Sequence, residues 1–188
     1  TRNFASIQME KSLNYFELYE LPVSFGINAS LLKKKFYELS KRYHPDFYVN
    51  ESDEQQQGIL ELSTQINKAY QVLSDSQKRV EYILTLYQLM ADGDKYQLPQ
   101  DFLMEMMDVN EALMELELNP NSAILATLTN QINDLEKSIF DELTFYTDTF
   151  DSQNDQDRKN SLLKIKDIWY REKYLLRIRN SLNMFAAR

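Results

Sequence analysis

The chain holds a single histidine, His44, and no cysteine. An imidazole can act as a general base, bind a metal or simply face solvent. A metal site is disfavoured because no second histidine and no thiolate can join it. Catalysis requires a nucleophile and an orienting group, and the residues specify neither. No metal or cofactor is expected. What sets His44 apart is its company. It precedes Pro45-Asp46 and follows a segment in which Lys33, Lys34, Lys35, Lys41 and Arg42 face one acid, Glu38.

A second group of residues could recognise rather than react. Between residues 99 and 118, Phe102, Met106, Val109, Leu113 and Leu116 recur by four and three. They span ~80° of a helical circle and make a bundle-facing stripe. Leu103, Met104 and Met107 are surplus to that stripe. Met104 and Met107 point away from it and share a side with Asp108, Glu111 and Glu115. An apolar patch rimmed by carboxylates on a solvated helix face marks a protein-binding surface, and methionine suits an adaptable one.

These residues need helices to hold them, and the composition supplies helices. Three glycines and four prolines leave little punctuation, and the alternating runs of strands are missing. The class is all-α. Seven helical segments are predicted, over residues 13–19, 29–43, 57–73, 76–90, 99–118, 121–149 and 155–185. In the second, Asn28 is a good N-cap, and Leu32, Phe36, Leu39 and Tyr43 fall within ~60° of arc. Lys34 and Lys41 lie opposite that face, with Arg42 on a flank. Pro45 ends the helix, because the residue before a proline avoids α geometry. The third segment places Leu62, Ile66, Ala69 and Leu73 on one face. His44 thus sits at the tip of an antiparallel helix hairpin.

The net charge of −8 excludes a non-specific nucleic-acid binder. From Asp101 to Asp157 there are fourteen acids and one base, Lys137; from Arg158 onward, nine bases and two acids. An acidic helix packed beside a basic one accounts for much of this. No apolar run reaches the ~20 residues of a membrane span. Residues 1–8 precede Met9 and are set aside. Missing targeting signals and absent cysteines point to the bacterial cytoplasm, with a processed mitochondrial form as the alternative.

Leu39-x-x-x-Tyr43-His44-Pro45-Asp46, followed by Ile66-Asn67-x-Ala69-Tyr70-x-x-Leu73, resembles the J-domain signature of DnaJ-type proteins. The resemblance implies a J-domain over residues 13–91. It also implies that His44, Pro45 and Asp46 trigger ATP hydrolysis on a DnaK-class chaperone, with Lys34, Lys41 and Arg42 as the electrostatic footprint. Tyr43 is expected in the core. Phe47-Tyr48 depart from the pattern, since a lysine often follows the tripeptide.

Beyond the J-domain, Arg79-Val80-Glu81-Tyr82 runs on into Ile83-Leu84-Thr85-Leu86, and Asp101-Phe102-Leu103-Met104-Glu105 opens the next helix. Both are similar to HscB, the co-chaperone family of iron–sulfur cluster assembly. The resemblance implies an antiparallel three-helix bundle over residues 98–188, joined through a linker at Asp92-Gly93-Asp94 in an L-shaped or elongated molecule. It implies an IscU-type scaffold protein held by Leu103, Met104, Met107, Asp108, Glu111 and Glu115, with Tyr170 as an aromatic contact. An HscA/DnaK-class chaperone would be the second partner. Phe145, Tyr146 and Phe150 are expected in the core. The rival readings are a J-protein for another client, a helical scaffold protein in which the tripeptide is accidental, and a hydrolase using His44.

Overall fold

The computed structural model of the chain describes residues 4–90 and 96–186. Among them the fold is all-α, in two compact units, residues 1–86 and 87–188. The expected linker at residues 92–94 and the boundary at Ala91 lie outside the described residues.

The first unit contains α1 (Phe4–Lys11), α2 (Tyr15–Leu18), α3 (Ala29–Arg42), a 3₁₀ turn (Pro45–Tyr48), α4 (Asp53–Ser74) and α5 (Ser76–Leu86). Its centre is α4, which packs against α1, α2, α3 and α5. Ile59, Leu62, Ile66, Ala69 and Leu73 are all buried along it. α4 begins four residues ahead of the predicted start. Ser52 and Gln55 form a reciprocal capping box that ties up the first free amides. Residues 1–8, set aside on sequence grounds, belong in part to the fold: α1 buries Ile7, and Lys11 pairs with Glu61.

Three polar contacts fix how these helices meet. The Tyr19 hydroxyl donates to the Ile66 carbonyl at 2.9 Å, and burial pushes the phenol far above its ordinary pKa. The Tyr82 hydroxyl accepts the Tyr15 amide at 2.9 Å, while the two rings stack at 4.4 Å. Arg79 donates to the carbonyls of Phe25 (2.8 Å) and Leu73, satisfying the end of α4. Its burial pulls the guanidinium below its usual pKa, against the opposing pull of Asp75.

The second unit contains α6 (Gln100–Leu118), α7 (Ser122–Phe150) and α8 (Asp155–Ala186). Its core joins Phe102, Met106, Val109, Leu113 and Leu116 of α6 to Leu128, Ile132 and Ile139 of α7, and to Ile168, Leu175, Ile178 and Leu182 of α8. The expected α6 stripe is therefore buried in full. Short connections force antiparallel neighbours. Asn121 caps α7 through the amides of Ala123 and Ile124, and Arg158 donates to the carbonyls of Phe150 and Asp151 at its other end. The charge blocks resolve partly into cross-helix pairs: Arg179 with Glu136 at 2.7 Å and Arg171 with Glu142 at 2.8 Å. Phe150 is buried and Tyr146 partly so, whereas Phe145 stands 64% exposed, contrary to the expectation of a core residue. It lies on the outer flank of α7, where a position between core and solvent is not legible from aromatic type. Among the described residues no helix is long and apolar enough to cross a membrane.

Candidate functional site

The first candidate surface is the tip of the α3–α4 hairpin. Asn28 starts α3 by accepting the Leu31 amide at 2.9 Å, and the helix runs to Arg42. Tyr43 closes it, its amide donating to the Leu39 carbonyl, and its ring is buried as expected. Phe36 stacks on Tyr70 of α4 at 4.4 Å, which locks the hairpin. His44 then takes an extended conformation (φ −71°, ψ 127°), as the following proline demands.

The tripeptide is not a free loop. His44 caps the 3₁₀ turn, Nδ1 accepting the Asp46 amide at 3.3 Å. The Asp46 carboxylate lies 3.7 Å from the same nitrogen, so Nδ1 is turned toward Asp46 and Nε2 points away from it. The Phe47 amide donates to the His44 carbonyl at 3.1 Å, and the Tyr48 hydroxyl to the Arg42 carbonyl at 3.0 Å. Downstream, the Gln56 side chain donates to the carbonyls of Val49 (3.2 Å) and Glu51 (2.8 Å). His44 and Asp46 are exposed on this turn, beside exposed Lys41 and Arg42. Lys41 and Arg42 also sit in the last turn of α3, where the helix dipole favours cations. Lys34 is exposed with Glu38 4.0 Å away, a contact worth little in water. Lys35 is turned to Glu20 at 2.9 Å, and Lys33 lies over the Tyr37 ring.

The second surface lies on α6. Met104 and Met107 are 61% and 68% exposed, and Leu103, Asp108, Glu111 and Glu115 are exposed with them. The methionines therefore do not pack into the bundle. The exposed stripe also reaches further than the sequence reading assigned. Met114 and Leu118 (81% exposed) continue the Met107 face at +7 and +11. Their spacing carried the signal, though the sequence reading gave neither residue a place. Asp101, Asp108 and Glu115, seven residues apart, form a carboxylate row along one edge.

Tyr170 is on α8 and half-buried, its ring stacked parallel to Tyr96 at 4.3 Å. Tyr96 had no assigned role. It leads into α6, and its hydroxyl donates to Asp167 at 2.7 Å. Asp167 and Glu142 both hold Arg171, offsetting its burial and keeping its pKa above the usual value. Burial pushes the Tyr96 phenol far up, and the bond to Asp167 adds to this. Tyr170 is thus anchored by a fixed aromatic partner. Among the described residues no cluster of three or more histidine or acidic side chains could hold a metal.

A helix hairpin with His-Pro-Asp at its tip, followed by a separate three-helix unit, is the architecture of a J-domain co-chaperone. The comparisons agree in both halves. Residues 14–82 match the family described as DnaJ domain, and residues 98–183 the family described as HSCB C-terminal oligomerisation domain. A co-chaperone protein HscB homolog of Vibrio cholerae is 39% identical over 118 residues, 61% of this chain and 68% of the relative. Co-chaperone protein HscB of Buchnera aphidicola is 30% identical over 154 residues, 81% of this chain and 85% of the relative. The chain belongs to the HscB family of J-domain co-chaperones. Among solved structures, chaperone HscB from Vibrio cholerae superposes with a TM-score of 0.58 at 28% identity, over 90% of this chain and 99% of that one. Human co-chaperone protein HscB shares the fold, with a TM-score of 0.69 at 22% identity, over 92% and 82%.

Proposed function

We propose that this co-chaperone stimulates ATP hydrolysis by an HscA/DnaK-class chaperone and delivers an IscU-type iron–sulfur scaffold protein to it, in the cytoplasm. The observation that carries the reading is the pinned tip of the hairpin. His44 has Nδ1 engaged on Asp46, which leaves Nε2 turned outward toward a partner. Pro45 and the 3₁₀ hydrogen bonds remove loop entropy before docking, so little ordering is left to oppose binding. Lys41 and Arg42, with Lys34 on the same helix, steer an acidic chaperone surface and speed the encounter.

The α6 face supports the second half. Leu103, Met104 and Met107 offer flexible apolar contacts, and Asp108, Glu111 and Glu115 offer charge to a basic rim. Tyr170, held by Tyr96, adds a rigid aromatic edge. In this scheme the chain performs no chemistry on a substrate. Hydrolysis stimulated by the first unit would close the chaperone on the client brought by the second.

The test is steady-state ATP hydrolysis by a cognate chaperone, with this protein alone and with the scaffold added. Stimulation is expected, rising further with the scaffold and vanishing in His44→Gln at unchanged melting temperature, since His44 is exposed. Stimulation indifferent to the scaffold would discard the client. Equal stimulation by His44→Gln would discard the trigger.

A further inference from the structure

The residue after the tripeptide departs from the pattern of the J-domain signature, and its placement gives the departure a purpose. Phe47 is 70% exposed, and Val49, two residues on, is exposed as well. Neither side chain is loose on a mobile loop. The Phe47 amide is bound to His44, Tyr48 is tied to Arg42, and Val49 is tied to Gln56. A phenylalanine held in water by a fixed backbone is apolar area kept out of the core next to the most exposed part of the tip.

The ring also touches the imidazole. The Phe47 and His44 centroids are 5.8 Å apart at 60°, an edge-on contact. With Nδ1 taken by the Asp46 amide and one side of the ring bounded by Phe47, the imidazole has little freedom left, and Nε2 remains the outward atom.

We propose that Phe47 is a positioning and contact residue of the trigger: it orients His44 and, with Val49, buries against an apolar patch on the same chaperone surface that receives His44. This rests on the docking reading above. The occupant is the chaperone because Phe47 is contiguous with His44 on one hydrogen-bonded turn, so a surface that receives His44 meets Phe47 as well. Docking then has two unlike parts. Lys41 and Arg42 contribute attraction that salt screens, and Phe47 contributes burial that salt leaves intact.

The experiment titrates wild type, Phe47→Ala, Phe47→Leu and His44→Gln into the chaperone ATPase assay over a salt series. Phe47→Ala should raise the half-saturating concentration about tenfold, the loss of one well-buried aromatic contact. Phe47→Leu, which restores most apolar area, should stay within roughly threefold of wild type. The Phe47→Ala ratio to wild type should hold constant as salt rises. Because His44 is the only histidine, its imidazole nitrogen signals in the NMR spectrum are unambiguous. Their shifts should differ between wild type and Phe47→Ala, because the edge-on contact of the Phe47 ring with the imidazole is lost. Wild-type half-saturation in Phe47→Ala, or a penalty that fades with salt, overturns the proposal while a silent His44→Gln keeps the trigger intact. An active His44→Gln would instead remove the trigger and this proposal together.

Discussion

Truncating both exposed methionines of α6, Met104→Ala with Met107→Ala, tests whether that face holds a client. Full burial of a methionine side chain is worth roughly 1.5–3 kcal/mol. With 61% and 68% of these residues still in water, about two thirds of that is open to a partner, or ~1–2 kcal/mol each. Immobilising a side chain with three rotatable bonds takes back ~0.5–1 kcal/mol. Taking gain and entropy loss as rising together with burial, the pair should therefore contribute ~1–2 kcal/mol, weakening the scaffold complex by roughly 5- to 30-fold in Kd. Isothermal titration of the purified scaffold into each variant measures this, and the heat-capacity change should shrink with the lost apolar contact. Melting temperature should not move, since neither side chain is in the core. The neighbouring Met106, 1% exposed, supplies the contrast: Met106→Ala should cost ~2–5 kcal/mol of stability through the cavity it leaves. A Kd unchanged within about twofold would refute the reasoning, because burial at a hot spot cannot be that cheap to lose.

Two further tests address the scaffold of the sites. Arg79→Met should leave the carbonyls of Phe25 and Leu73 without their donor, at a cost of ~2–3 kcal/mol, read as faster amide hydrogen exchange in α4. Glu172 is half-buried on α8, and burial raises its carboxyl pKa against the opposing pull of Arg171. A raised acid destabilises the fold once pH climbs above the unfolded value near ~4.3, so Glu172→Gln should stabilise at neutral pH. The gain should disappear below that value, where the carboxyl is protonated in both states. Urea unfolding at both pH values measures it, and an equal gain at low pH would contradict the assignment.

Much of the architecture was legible before any coordinates. Helix spans follow from short-range chemistry, namely Asn28 as a cap, Pro45 as a break, and spacings of three and four. The misses have two sources, one local and one distant in sequence. The start of α4 depended on Ser52 and Gln55 capping each other, a local signal that was overlooked. The place of α1 depended on Ile7 and Lys11 finding α4 some fifty residues on. Phe145 and Leu118 have core-like side chains, yet both stand in solvent.

The candidate sites divide the same way. Helical period was enough to select the Met104–Met107 face, because a helix wheel sorts side chains by angle alone, whereas His44-Pro45-Asp46 stood out through its resemblance to the J-domain signature. That His44 turns Nδ1 to the Asp46 amide, that Phe47 stands beside it, and that Tyr170 rests on Tyr96 required the folded chain. Those facts depend on hydrogen bonds and ring contacts whose partners are chosen by packing, and packing is set by every element at once.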